Sequence, residues 1–442
     1  MIMNRTLKLK SKDFILSKNP ILRYVTFTVL YLAQGITDGI TFFVIPAWLA
    51  MNDKSAVEIA SFVAVIGIPW SFKVFIAPFI DRYTLLSMGR KRPWVIFGQL
   101  GLIISFLSIG FVQDPLNNML GLMVSGFFIS FFGAFQDVAT DGMVVDVVPE
   151  NEQARANGLM WGSKTVGVSL TMLIGTALIN LIGFTAAIAS LSIVVSIVIM
   201  VPICFREREG EKFMPWTRGK VSSEAKNVQL KKWSQILKSL FKVIFIPSIL
   251  VMTFIHLISG LLSGFIDTLL PIFTIQKLGW TDTLFSQIFS ITTLVGGVLG
   301  MFIGGPLVDF FGGKRMIYIY LSCTVLIISV FALTPSYWVN EMMVFGFIAL
   351  YYLFTTFLII GLFAVSMKLC WKVIAATQFT LFMAFANIGR ALGSGLVGTL
   401  TSIISWEYVI LCAAILPLSM IVLIRFINFE KNDEAIAQIK LV

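Results

Sequence analysis

Along most of this chain apolar residues do not alternate with polar ones. They run on for twenty or more positions at a time, and they do so repeatedly. A helix that crosses a bilayer needs about 20 such residues. Twelve stretches qualify, at residues 24–49, 57–80, 93–113, 119–148, 155–181, 183–204, 243–275, 284–308, 315–334, 341–369, 373–400 and 404–428. The polar segments between them are short, with one exception at residues 205–242 that divides the stretches six and six. The pattern predicts an all-α integral membrane protein with twelve transmembrane helices. Its expected parts are an N-terminal tail over 1–22, a first six-helix bundle over 23–204, a basic linker over 205–242, a second bundle over 243–428 and a tail over 429–442.

The two halves repeat one another. Gly39 and Pro46 in the first stretch match Gly264 and Pro271 in the seventh. Pro78-Phe-Ile-Asp81 after the second matches Pro306-Leu-Val-Asp309 after the eighth, and Gly167 in the fifth matches Gly389 in the eleventh. Three anchors at a nearly constant offset argue for two six-helix pseudo-repeats. Parallel repeats of this kind resemble the major facilitator architecture, in which a solute binds between the halves near the midplane.

Composition agrees with a lipid solvent. Of 442 residues, 57% are hydrophobic and only 13% charged, where a soluble domain carries about a quarter. The net charge of +10 would suggest nucleic acid in a soluble protein. Here the Lys and Arg residues sit in alternate loops, which is a topology signal instead. With both termini inside, the inner loops hold Arg82, Arg90, Lys91, Arg92, Arg155, Lys314, Arg315, Lys368 and Lys372, and the outer loops only Lys54 and Lys277. The expected place is a cytoplasmic membrane crossed many times, with cytoplasmic termini and the lipid bilayer as a partner. Trp48, Trp280, Trp338 and Trp406 at outer ends, and Trp94 and Trp371 at inner ends, read as interfacial anchors. The basic linker stretch near Lys231–Lys242 is amphipathic and is expected on the inner leaflet. The four cysteines lie in separate apolar stretches with no metal or redox spacing, and the first 22 residues show no cleavable signal. No cofactor, metal or obligate protein partner is expected.

The loops after stretches 2 and 8 carry recognisable motifs. Gly305-Pro-Leu-Val-Asp309-Phe-Phe-Gly312-Gly-Lys314-Arg315 resembles the signature loop of the major facilitator superfamily. The longer first-half copy, Lys73 through Pro78-Phe-Ile-Asp81-Arg82-Tyr83-Thr84 and then Gly89-Arg90-Lys91-Arg92-Pro-Trp94, resembles the AmpG-type permease branch. Gln136-Asp137-Val-Ala-Thr-Asp141, with Asp146, Pro149, Glu150 and Arg155 beyond it, is similar to that branch's fourth segment. Ala376-Thr377-Gln378-Phe379, leading to Gly389-Arg390, is similar to its eleventh. The resemblance covers about residues 23–428. It implies a proton-driven permease that imports anhydro-muropeptides. Related permeases of the same branch carry siderophores or acyl-coenzyme A. Two positions depart from the branch pattern: Val144 stands where it has a basic residue, and the seventh segment offers His256 and Asp267 in altered places.

Ionisable residues inside the apolar stretches point to the working interior. They are Asp38, Asp137, Asp141 and Asp267, with Lys73, Lys164, Arg390 and the single histidine, His256. Each costs at least about 2.5–3.5 kcal/mol at a bilayer centre unless paired or hydrated. Asp137 and Asp141 stand four residues apart, on one helix face. Two readings stand for them: a proton-coupling pair, or carboxylates neutralised by Lys73 and Lys164. Asp38 lies about 22 Å into its helix and either carries a proton, binds solute or is satisfied by Thr37 or Thr41. Gln34, Gln136, Lys164, Arg390 and His256 are the further solute-binding candidates. Arg390 either holds an anionic solute or locks onto a first-half Asp. Asp81, Arg82 and Asp309, with Lys73, are candidates for a conformational latch.

Two other classes explain the chain less well. A membrane enzyme needs a nucleophile with its base, or clustered ligands, and one histidine with no paired cysteines offers neither. A non-transporting membrane sensor has no use for seven charged groups in the membrane interior.

Overall fold

The computed structural model describes residues 14–439 apart from 53, 55, 228, 230–232 and 281. Lys231, Lys232 and the first part of the N-terminal tail therefore lie outside the described residues. Among those described, twelve helices are long and apolar enough to cross a membrane. In chain order, α1 is Pro20–Val44, α2 Ser61–Arg82, α3 Arg92–Phe111, α4 Met119–Val147, α5 Glu150–Ile182 and α6 Phe184–Cys204. The second set is α7 Pro247–Ile275, α8 Gln287–Phe311, α9 Gly313–Leu333, α10 Glu341–Leu369, α11 Lys372–Ile403 and α12 Trp406–Ile424. Phe14–Leu16, the helix Phe429–Gln438 and the linker lie on one face of the bundle, called here the linker face.

Local chemistry sets the ends and bends. Asn19 caps α1 by accepting the Leu22 N–H, and Pro20 fills the first helical position, where no N–H is missed. Gly183 between α5 and α6, and Gly312 between α8 and α9, adopt positive φ and make one-residue breaks. Two of the three widened π-helical turns among the described residues, Ile40–Val44 and Gly300–Gly304, stand just ahead of a proline, Pro46 and Pro306; the third is Phe273–Lys277. A proline ring clashes with the carbonyl one turn back, and a wider turn relieves that clash.

The halves are built alike. In the first, α1 packs on α5 with backbone nearly touching backbone: a Cβ on Gly35 would stand 2.1 Å from the Lys164 carbonyl oxygen, and one on Gly167 2.5 Å from that of Leu32. In the second, α7 packs on α11 in the same manner: a Cβ on Gly264 would meet the Arg390 oxygen at 2.0 Å, and one on Gly389 the Leu257 oxygen at 1.9 Å. Such small-residue contacts let helices approach closely where lipid supplies no hydrophobic drive. One apolar core joins both halves toward the linker face and runs through Phe27, Val138, Met252, Leu358 and Phe379. Beyond it each half has a core of its own, around Phe62 and Phe106 in the first and around Phe273 and Phe331 in the second.

The start of the linker is bound into the first half. Arg206 exchanges backbone hydrogen bonds with Phe14 and Leu16. The Glu207 carboxylate accepts the backbone N–H groups of Arg90, Lys91 and Arg92 at 2.8, 2.7 and 2.5 Å, and so sits on the N-terminus of α3. Gly89 has φ +114°, and a Cβ there would strike Glu207. The Arg92 guanidinium donates to the carbonyls of Ile203, Lys212 and Phe213 and ties the end of α6 to the linker. Three residues that the sequence shows as loop charges are thus buried structural groups. Burial pulls the Lys91 ammonium down from its ordinary value, and Asp81 acts against that pull.

Glu211 accepts the Arg208 N–H at 2.9 Å. Burial first, and the neighbouring Glu207 carboxylate second, push the Glu211 carboxyl from 4.5 up to about 8. Between those values the folded chain holds a proton that the unfolded chain releases. Stability therefore falls as pH rises through that window, by at most about 1.4 kcal/mol per pH unit. Thermal unfolding in detergent is expected to show a midpoint that drops between about pH 6 and about pH 8, and a shallower drop in Glu211→Gln. Equal slopes in the two proteins would remove Glu211 as the cause.

Candidate functional site

A cavity of about 350 Å³ lies between the halves, and both contribute walls. The first-half wall comes from α1, α2, α4 and α5. Asp38 pairs with Lys164, Oδ2 to Nζ 2.8 Å. Lys73 pairs with Asp137 at 2.9 Å, and the Gln34 amide donates to the other Asp137 oxygen at 2.5 Å. Asp141, one turn along α4, accepts a hydrogen bond from the Tyr31 hydroxyl. Among the described residues no Lys or Arg makes an ion pair with Asp141. Three carboxylates thus face two ammoniums, and Asp141 is the unmatched one.

The second-half wall comes from α7, α10 and α11. Arg390 donates to Asp267 at 3.0 Å, and the Tyr352 hydroxyl donates to the other Asp267 oxygen at 2.8 Å. His256 Nε2 lies 2.7 Å from the Ser366 hydroxyl oxygen. That hydroxyl donates to the Leu362 carbonyl, so its oxygen is left to accept from Nε2–H. The ring stacks on Phe382, with centroids 5.4 Å apart. Two tryptophans flank the Lys164 ammonium, which lies 5.2 Å from the Trp70 ring centre and 5.7 Å from that of Trp161. The Trp70 indole N–H and Asp38 Oδ1 are buried without a hydrogen-bond partner. A donor and an acceptor left open in one cavity suit a hydroxylated solute that supplies both.

The structure thus gathers Asp38, Asp137, Asp141, Lys73, Lys164, Arg390 and His256 around one space. Several pairings differ from the sequence expectation. Lys164 serves Asp38 rather than the Asp137–Asp141 pair, while Thr37 and Thr41 bond backbone carbonyls. Arg390 meets Asp267 of its own half, not a first-half Asp. Gln34 stands behind Asp137, and Gln136 turns away to donate to the Leu30 carbonyl. Lys73 is not at the latch: eight residues put it about 12 Å up α2 from Asp81. Among the described residues the Arg82 side chain makes no latch ion pair either, and lies against the rings of Tyr83 and Trp233. Trp70 and Trp161 were missed because a search for ionisable groups passes over them. Their signal was position, mid-segment rather than at a segment end.

Polar bolts cross between the halves on the linker face. Asp81, held by Lys91, accepts the Thr377 N–H at 2.8 Å and the Thr377 hydroxyl at 2.7 Å, at the start of α11. Arg90 pairs with Asp146 at 2.8 Å and donates to the Lys372 and Val373 carbonyls at 3.0 and 3.3 Å. Asp309 accepts the Arg155 N–H at 3.1 Å, and Lys368 stands 3.5 Å from Glu150. The linker face is closed.

Comparisons with known proteins agree with this architecture. A family profile described as Major Facilitator Superfamily matches residues 27–379 and again 256–440. The chain is 22% identical over 432 residues to "Putative transporter AmpG 3" of Rickettsia typhi, covering 91% of this chain and 97% of that one. It is 26% identical over 156 residues to the "Anhydromuropeptide permease" of Escherichia coli K12, covering 35% of this chain and 30% of that relative. The match to the Rickettsia prowazekii protein also named "Putative transporter AmpG 3" likewise spans only 35% of its length. Among solved structures, the human organic anion transporter MFSD10 superposes with a TM-score of 0.68 at 11% identity, over 91% of this chain and 99% of that one. Twelve spans in two like halves, a charged cavity between them and a profile match over most of the length lead to one assignment: this multi-pass membrane protein belongs to the Major Facilitator Superfamily, whose members are transporters and not enzymes.

Proposed function

We propose that the protein is a proton-coupled importer of anhydro-muropeptides, or of a similar polar anionic solute, working by alternating access in the cytoplasmic membrane. The observation that carries this reading is the unmatched carboxylate, Asp141, in a cavity whose other carboxylates are paired. A buried charge without a partner is costly, and taking up a proton removes it. Lys73 keeps Asp137 in its ion pair while Asp141 gains and loses the proton, with the Tyr31 hydroxyl as its hydrogen-bond partner in the charged state.

The basic linker and loops support a cytoplasmic linker face by the positive-inside rule. The closed linker face is then the outward-facing state, and proton and solute enter from outside. The cavity has chemistry for both parts of a muropeptide. Trp70 N–H and Asp38 Oδ1 meet sugar hydroxyls, with the Trp161 ring as a flat apolar wall, and Arg390 draws a carboxylate. Rocking of the halves then parts the bolts of Asp81, Arg90 and Asp309 and opens the linker face. The likeness to the anhydromuropeptide permease of Escherichia coli supports this class of solute.

The test is proton flux into proteoliposomes under an inward acid gradient, on adding N-acetylglucosaminyl-anhydro-muropeptide. Solute-dependent influx is expected. No influx, with the protein shown to be folded and inserted, overturns the muropeptide reading and moves the search to siderophores and acyl-coenzyme A. Asp141→Asn is expected to lower solute-driven proton influx by at least about tenfold while solute binding persists. An unchanged rate and pH profile would assign the proton elsewhere, with Asp38 first. Trp70→Phe keeps an aromatic ring and removes the donor. It should raise the half-saturating solute concentration about fivefold, the worth of one hydrogen bond. No change would place the solute away from Trp70.

A further inference from the structure

The lipid-facing side of the first half carries an open groove of about 800 Å³ between α2, α3 and α4. Its walls are aromatic: Phe72, Phe75 and Phe79 from α2, Trp94 and Phe97 from α3, and Phe131 from α4. Phe72 and Phe75 are more than half exposed. The rings continue toward the linker face, where Phe79 meets Trp94 at 5.2 Å and Tyr83 at 4.7 Å between ring centres.

Arg82, the last residue of α2, stands just beyond the linker-face end of the groove, next to Tyr83, whose ring meets Phe79 of the groove wall. Its guanidinium lies 4.8 Å from the Tyr83 ring centre and 5.0 Å from that of Trp233. The two rings hold the side chain in place, and among the described residues no carboxylate makes an ion pair with it. Trp233 opens the linker helix Trp233–Ile244. That helix buries Ile236, Ser239 and Val243 against the protein and leaves Trp233, Leu237 and Phe241 exposed in a stripe, with Lys238 and Lys242 alongside. An apolar stripe edged with lysines is the surface of a helix lying in the interface plane of an anionic leaflet.

An apolar groove with an unmatched, ring-held guanidinium just beyond its end has the shape and charge order of a phospholipid with a negative headgroup. We propose that this groove is a binding site for an anionic phospholipid of the linker-face leaflet, with an acyl chain along the rings of α2–α4 and the phosphate on Arg82. Arg forks match phosphate oxygens in a bidentate manner, which a zwitterionic headgroup answers less well because its own cation competes. Lys238 and Lys242 add attraction for negative headgroups around the site. The lipid then bridges α2, whose Asp81 bolts the halves together, and the linker helix.

Native mass spectrometry of the detergent-purified protein tests this, with phosphatidylglycerol and phosphatidylcholine of identical chains added in turn. The expected result is a retained phosphatidylglycerol adduct, and its occupancy about tenfold lower in Arg82→Gln. Arg82→Lys, which keeps the charge, should hold an intermediate amount, and size-exclusion profiles check that both variants fold. Equal retention of the two lipids, or an adduct undiminished in Arg82→Gln, overturns the proposal. Displacement of the adduct by soluble glycerol phosphate also overturns it, since the site would then be an anion site that needs no acyl chain.

Discussion

The structure turns on a charge imbalance inside hydrocarbon. A charge there must be paired, hydrated or neutralised. The first-half wall of the cavity has three carboxylates and two ammoniums, and the pairs Asp38–Lys164 and Asp137–Lys73 use up both cations. Asp141 remains, one helical turn from Asp137, with only the Tyr31 hydroxyl on it. The rest of the first half can be read as what makes this imbalance possible. The α1–α5 contact through Gly35 brings the Lys164 backbone against α1 and delivers its ammonium to Asp38. A larger residue at position 35 would separate those helices and the ion pair with them.

The second constraint is that the halves must hold together on one face and still be able to part. On the linker face they share an apolar core and several polar bolts: hydrogen bonds of charged side chains with backbone groups and with the Thr377 hydroxyl, and the Lys368–Glu150 ion pair. Hydrogen bonds to charged groups contribute about 1.5–3 kcal/mol each and can be exchanged for water. Where α5 meets α8 the contact is glycine on glycine: a Cβ on Gly158 would stand 2.9 Å from the Gly300 oxygen. Smooth backbone surfaces of this type can slide without the repacking that interlocked side chains demand. The start of the linker is anchored to the first half through Glu207 and Arg92.

Much of this was legible in the sequence. Twelve spans follow from run length alone, because lipid demands that each crossing segment satisfy its own backbone. The duplicated halves follow from glycines and prolines placed where helices touch or bend. The cavity residues follow from the cost of burying Asp38, Asp137, Asp141, Lys164 and Arg390. Pairing was not legible, because it depends on rotation and depth of separate helices. Lys73 lies in a loop motif by sequence but two turns deep by position, and Arg82, one residue from Asp81, is turned about 100° from it around the helix and meets Trp233 rather than Thr377. The burial of Arg90, Lys91 and Arg92 was hidden for a similar reason: a basic loop obeys the topology rule whether its side chains are solvated or are capped by Glu207 from a distant segment. Trp70 and Trp161 carry no charge, so only their mid-membrane placement set them apart.

Infrared difference spectroscopy on the membrane-reconstituted protein tests the central claim most directly. It follows carboxylic acid carbonyl bands as the face opposite the linker is acidified, in wild type and in Asp141→Asn. The account predicts a band that grows on acidification, changes when solute is added and is absent from Asp141→Asn. The same band persisting in Asp141→Asn would mean that another group takes the proton, and that the unmatched carboxylate is not the seat of coupling.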